Sequence, residues 1–316
     1  MLRERPVWCL CLLGSLLFTG CSSQRAARLQ GRETAEQLAD RARAAADRGD
    51  KESAEVLLTA AVNHNPKDCE TRLELSDMLL EHGSLKSATD HLRQLVDENP
   101  DDPRAHVKLA KALYLQHELT GAESLVNRAL ELDPENPQAW LLRARIENSR
   151  QNDSAALAAC YRVLAADSEE LEARLLAAEI HLRQGESRQT LPLARAVLES
   201  SSSCPRQKST ASWLAGRCYA QDGRWAEAAM ALSLAIRDRA KSTASDWYQV
   251  AYAKYRAGDI AGSRQAVDAA LKIAPDDSES LTLSRLLEAE SMRKGNLSDA
   301  GDGSHFGRSI VNNMGR

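Results

Sequence analysis

Proline recurs at Pro66, Pro100 and Pro134, 34 residues apart each time, and every interval reads as helix, turn, helix. A fixed period of this length marks a stack of small helical units. No single unit can bury its own apolar face, so neighbours pile into a solenoid whose inner surface is a long groove rather than a deep pocket. Such a surface favours binding over catalysis. Aromatic residues are only 4% of the 316-residue chain, while alanine is plentiful, which suits helices packed closely through small side chains. Forty-one Lys and Arg against 45 Asp and Glu leave a net charge of -4. No basic excess points to nucleic acid, so any electrostatic binding has to come from a local patch.

The N-terminus carries a separate signal. Arg3 and Arg5 precede an apolar run from Val7 to Phe18, too short for the roughly 20 residues that cross a bilayer. Thr19 and Gly20 then supply the small residues a signal peptidase requires. With Cys21 directly after them, the segment resembles a bacterial lipoprotein lipobox, although Phe18 stands where leucine is usual and Leu17 lies one place back. The resemblance implies a signal peptide over 1–20, a lipid-modified Cys21 as the first mature residue, and a tether over 21–34. Because Ser22 follows the cysteine in place of an aspartate, it also implies the outer membrane, facing the periplasm. Several acyl chains on one residue would make that anchor stable. Arg25, Arg28 and Arg32 of the tether read as a solvated linker or as contacts to anionic headgroups.

If each proline is position 32 of its unit, units begin at Ala35, Cys69, Pro103 and Pro137, and the small residues fall into register. Position 8 then holds Ala42, Ser76, Ala110 and Ala144, and position 20 holds Ala54, Ala88, Ala122 and Ala156. Those are the places where paired helices cross most closely. This register resembles the tetratricopeptide repeat family from about Ala35 to Asp277. The sixth unit carries it through Ala215, Gly216, Tyr219, Gly223, Trp225, Glu227, Ala228, Leu232 and Ala235, and the third through Leu109, Ala110, Leu113, Ala122, Val126, Ala129 and Pro134. Arg41, Arg143 and Glu147 depart from the family pattern. The resemblance implies an all-α chain, an α-solenoid forming a right-handed superhelix of about seven units plus a C-terminal capping helix.

Boundary chemistry agrees with this frame. Asp102-Pro103 and Asn136-Pro137 place a capping side chain before a proline at the first helical position. Thr34 with Gln37, and Asp276 with Glu279, have capping-box spacing. Gly49, Gly83, Gly185, Gly223 and Gly258 fall in the turns between paired helices. Pro192 lies inside the second helix of the fifth unit, where a kink is expected, and the polar stretch Ser200 to Pro205 reads as a joint. The domain division is therefore five units over 35–204, two units with the cap over 205–294, and a disordered tail over 295–316. The capping helix is expected from Ser278 to about Lys294, carrying Leu281, Leu283, Leu286 and Leu287.

In tetratricopeptide superhelices the first helix of each unit lines the concave face. Carried onto this chain, that places Arg104, Lys108, Lys111 and Arg145 with Tyr114 toward the middle of the groove, and Trp213, Arg217, Tyr248, Tyr252 and Tyr255 toward its C-terminal end. Tyr248, Tyr252 and Tyr255 share one helix face by their spacing. A groove that is basic in the middle and aromatic at one end suits an extended peptide bearing acidic and apolar residues. The plain alternative is that the tyrosines pack against a neighbouring helix and the charges form a solvated face. Relatives that grip a C-terminal carboxylate use lysine, asparagine and arginine at set positions, whereas the equivalent places here hold Ala39, Arg43 and Glu74, which disfavours that mode.

No metal, cofactor or catalytic residue is expected. His64, His82, His91, His106, His117 and His181 are dispersed, without the paired spacing of a zinc helix. Cys160 reads as a small core residue, and Cys204 with Cys218 is the one pair close enough in sequence to suggest a disulfide. The expected function is a non-enzymatic, lipid-anchored scaffold that binds protein or peptide partners in its groove, in cell-envelope assembly of the pilotin kind or similar. A cell-wall glycan or polysaccharide binder, using Trp213 and the tyrosines as stacking platforms, is the alternative.

Overall fold

The computed structural model describes residues 34–237 and 242–302 and is all helical over them. The signal peptide, Cys21, the tether before residue 34 and the tail beyond 302 lie outside the described residues. The chain forms two compact units that meet in sequence at Arg150 and Gln151. The first contains α1 (34–47), α2 (Lys51–His64), α3 (Cys69–Glu81), α4 (Leu85–Glu98), α5 (Pro103–Leu115), α6 (Leu119–Leu132) and α7 (Pro137–Ser149). The second contains α8 (Asp153–Ala166), α9 (Leu171–Arg183), α10 (Ser187–Glu199), α11 (Pro205–Gln221), α12 (Trp225–Arg237), α13 (Ala244–Arg256), α14 (Ile260–Ile273) and α15 (Ser278–Asp302).

Helix starts follow the capping residues. Asp102 accepts from the Arg104 amide at 2.9 Å with Pro103 in the first turn, and Asn136 accepts from the Ala139 amide at 3.0 Å before Pro137. Thr243 and Asp246 form a reciprocal capping box. At α15 the cap is Asp277, which accepts from the Ser280 amide at 2.9 Å, one residue later than the Asp276–Glu279 box expected from spacing.

The turn between paired helices repeats a left-handed residue. Gly49, Gly83, Gly185, Gly223 and Gly258 have φ between 73° and 85°, and the same place in the two intervening turns is held by His117 at 64° and Gln151 at 61°. A side chain there is strained, so glycine marks the position only where the sequence can supply it.

The small positions are where the helices touch. Ala42, Ser76 and Ala110 on α1, α3 and α5, and Ala54, Ala88 and Ala122 on α2, α4 and α6, are all buried. In the second unit the series continues through Ala178 and Ala251, and through Thr190, Ala228 and Ser263. The Ser263 hydroxyl, at position 20, donates to the backbone carbonyl of Ala251, at position 8, at 2.8 Å. Around these crossings Leu75, Leu92, Leu95, Leu109, Val126 and Ile146 fill the core of the first unit. Each such side chain contributes about 1.5–3 kcal/mol by leaving water.

The serine stretch lies inside the second unit, where the Ser203 hydroxyl donates to the Val197 carbonyl and α10 packs against α11. Pro192 sits within α10, which is helical on both sides of it. One expectation changes. The last helix runs to Asp302 rather than ending near Lys294, since one glycine, Gly295, costs a helix only about 1 kcal/mol. Of its leucines, Leu283 and Leu287 are buried against the core, whereas Leu286 is exposed.

Candidate functional site

Two faces carry the residues singled out by sequence, one in each unit. In the first unit Arg104, Lys108 and Arg43 are already paired with acids. The Arg104 guanidinium donates to Glu70 at 2.6 Å and to Asp102 at 3.0 Å, and the Lys108 ammonium is bonded to Asp77. Arg43 forks onto Glu74 at 3.0 Å and onto Asp40 at 2.7 Å. Burial pushes the Asp102 carboxyl up, but hydrogen bonds from Arg104 outweigh it and leave the group below its ordinary range. Arg104 is held above its own range by Asp102 and Glu70.

Each of these cations has one partner about one repeat earlier or later in the chain, so α1, α3 and α5 are laced together by charge. The depression there, about 400 Å3, is lined by Glu70, Glu74, Asp77, Arg104 and Lys108. It is therefore a balanced surface, and the expectation of a basic middle groove is corrected for Arg104 and Lys108. Lys111 is exposed and lies near enough to Glu81 to lower that carboxyl, whose direct partner is Lys51 at 2.8 Å. Arg145 is half-buried and already engaged. Tyr114 packs on the core and its hydroxyl lies 3.2 Å from the Ser149 hydroxyl.

The second unit gathers aromatic residues instead. Tyr248 and Tyr252 of α13 stack with ring centroids 6.2 Å apart, and Trp225, at the first turn of α12, meets Tyr252 edge-on at 5.7 Å. Arg256 lies 4.3 Å over the Trp225 ring, and its guanidinium donates to the Tyr252 hydroxyl at 2.9 Å. Between them opens a cavity of about 280 Å3, floored by Leu232 and Ala253 and rimmed by Arg217 and Gln249. Burial, then Glu279, pushes the Tyr248 hydroxyl above its ordinary range. All three rings line the cavity.

Of the aromatic residues expected in this region, Tyr248 and Tyr252 reach the cavity, together with Arg217. Trp213 is half-buried against the C-terminal core and already engaged. Tyr255 faces the last helix, where its hydroxyl donates to Glu290 at 3.4 Å. Sequence reading missed Trp225 and Arg256 as site residues. Arg256 follows Tyr252 by four residues, the spacing that puts two side chains on one helix face, so that signal was present. Trp225 stands on α12, outside the first-helix positions that were mapped.

Other chemistry is sparse. Among the described residues no cluster of His, Cys, Asp and Glu could hold a metal ion, and no helix is long and apolar enough to cross a membrane. His181 is buried between the Tyr161 hydroxyl at 2.7 Å and Glu186 at 2.6 Å, but burial holds the tyrosine above its ordinary pKa range, which makes it a poor nucleophile. Cys160 is buried, its thiol pushed up to about 12. Cys204 and Cys218 are free thiols. They stand at the N-cap and in the last turn of one helix, roughly 20 Å apart along its axis, far beyond the reach of a disulfide.

Family models described as tetratricopeptide repeat match residues 79–146, and residues 39–103 and 175–245. No curated protein matches in sequence. Among solved structures the fold is similar to the APC/C hetero-tetramer Cut9–Hcn1, at 14% identity and TM-score 0.66 over 78% of this chain and 48% of that one. The chain thus spans about half of that relative's length. It is also similar to pilF of Pseudomonas aeruginosa, at 13% identity and TM-score 0.61 over 69% of this chain and 96% of that one. The type IV pilus biogenesis factor PilW matches at 14% identity and TM-score 0.59, over 69% of this chain and 98% of that one. At these identities the likeness is one of fold.

Proposed function

Since the chain belongs to the tetratricopeptide repeat family, whose matches span more than half of it, we propose that it is a non-enzymatic scaffold, anchored by lipid on Cys21 and recruiting a protein partner through its helical faces. Proteins of this family bind protein or peptide partners. The observation that carries the reading here is the aromatic cavity of the second unit, a concave, mostly apolar site with Arg217 at its rim, Arg256 on its Trp225 ring and, among the described residues, no paired nucleophile and base beside it. That constellation suits recognition and offers nothing for turnover.

The anchoring half of the proposal rests on Arg3, Arg5, the Val7 to Phe18 run and the Thr19-Gly20-Cys21 junction. It places the protein in the cell envelope, at the outer membrane and facing the periplasm. Two of its fold relatives are pilF and the pilus biogenesis factor PilW, so assembly of an envelope machine is the process proposed. Cys21→Ser tests the anchor: membrane fractionation should move the protein to the soluble fraction, and unchanged partitioning would end the lipid reading. Photo-crosslinking from Tyr252 and from Lys111 in intact cells, read by mass spectrometry, tests the scaffold. One reproducible protein adduct supports it; no adduct from any face of the array rejects it.

A further inference from the structure

We infer that the cavity beside Trp225 is a docking site for an extended peptide that inserts one aromatic or long aliphatic side chain flanked by carboxylates. This deepens the scaffold reading and rests on it. The size of the cavity decides the first half. At about 280 Å3 it falls below the roughly 300 Å3 at which small-molecule pockets begin, and its floor of Leu232 and Ala253 under the Trp225 and Tyr248 rings favours an apolar insert.

Charge decides the second half. Arg217 is exposed at the rim and has no carboxylate partner among the described residues. Arg256 is likewise unmatched by any carboxylate there; it is held by the Trp225 face and by one hydrogen bond to Tyr252. A guanidinium stacked on a ring is fixed in plane yet keeps N–H donors at its edge, the geometry that grips a carboxylate. These two cations differ from Arg43, Arg104 and Lys108 of the first unit, each of which already has its acid. Gln249 completes the rim: it has no hydrogen-bond partner among the described residues, and its amide can both donate to and accept from an extended backbone.

The chain's own C-terminal segment is the competing occupant. Residues 303–316 contain Phe306 but also Arg308 and Arg316 and no acid, so its charge is the wrong sign for this rim. The site therefore fits an acidic partner segment better than the tail.

An array of nonapeptides tests this with the full chain as probe. The central residue runs through all side chains, with Asp, Lys or Ser on both sides of it. Aromatic or leucine centres flanked by Asp should bind at least tenfold better than the same centres flanked by Lys. The preference should vanish in Arg217→Glu with Arg256→Gln, while circular dichroism shows the fold intact. Equal binding of Asp and Lys flanks, or an unchanged preference in that variant, overturns the inference. So does a synthetic 303–316 peptide that binds more tightly than the Asp-flanked set. These results are separable from the scaffold question: a crosslinked partner that attaches through another face preserves the scaffold and removes this site.

Discussion

The first unit answers three of its groove cations with acids, and the second leaves two beside its aromatic cavity without one. Arg43, Arg104 and Lys108 meet Glu74, Glu70 and Asp77, whereas Arg217 lines the aromatic cavity without an acid and Arg256 stands over tryptophan and tyrosine. Both faces come from the same type of helix in the same repeat. The difference teaches that a repeat position carries no fixed role: a charge on it is internal lacing if the neighbouring unit supplies the counter-charge, and a recognition group if it does not.

The contrast should fail most severely from beneath the aromatic cavity. Gly216 packs so closely on Leu232 that a Cβ there would lie 2.7 Å from its Cγ, and Leu232 is the cavity floor. Gly216→Val should cost about 2–3 kcal/mol of stability by overpacking, read from urea unfolding, and should deform the site. An unchanged midpoint would mean that α11 and α12 are looser than described.

Next in size is a change that makes the first face resemble the second. Glu70→Gln with Asp77→Asn frees Lys108 and leaves Arg104 only its local acid Asp102, and binding of Asp-flanked peptides should rise about tenfold, or about 1.4 kcal/mol, with strong salt dependence. Stability should move by no more than about 1 kcal/mol, because these ion pairs are largely solvated. A gain that persists in high salt would show that charge was not what silenced this face.

The turns offer a smaller effect. His117→Gly relieves a left-handed side chain in the first unit, at 64°, and should stabilise by up to about 1 kcal/mol, strain relief exceeding the added flexibility of the unfolded chain. A lower melting temperature would show that the His117 side chain contributes more than its strain costs.

The smallest effect concerns acid. In the first unit Glu81 is lowered by hydrogen bonding to Lys51, Glu98 by Gln94 and then Arg72, and Glu123 by Arg150; in the second, Asp153 is lowered by Arg183 and Glu227 by Arg224. A carboxyl whose folded pKa lies below its unfolded value stabilises fully above that unfolded value and loses the contribution as pH falls through the folded one. The window therefore opens below about pH 4.5 for the glutamates. Amide hydrogen exchange should show the first unit, where more such groups lace helices together, loosening before the second. Simultaneous loosening would make the lacing energetically silent.

The fold was legible because packing leaves a periodic trace. Ala42, Ser76 and Ala110 lie 34 residues apart, as do Ala54, Ala88 and Ala122, and a helix crossing tolerates nothing larger at those points. The positive-φ turn was legible at Gly49 and Gly83 but hidden at His117 and Gln151, since a strained position leaves no mark when a non-glycine residue is forced into it. The site was half legible. Tyr248 and Tyr252 followed from helical spacing, whereas the silencing of Arg104 did not, because its acid Glu70 lies 34 residues away and only the stacking of units brings them together. A comparable separation hid the role of Trp225, a residue of the second helix of its unit that reaches across to the first helix of the next.

That lacing also sets how the chain comes apart under load. Arg104 reaches back 34 residues, Lys108 31, Arg183 30, and Tyr255 forward 35, so within each unit a helix pair is tied to its neighbours and to little else. Mechanical resistance is thus distributed in short links rather than concentrated in one clamp. Pulled from its C-terminal end, the second unit should yield α15 first and then helices two at a time, each release paying out about 34 residues, or roughly 110–120 Å of extended chain.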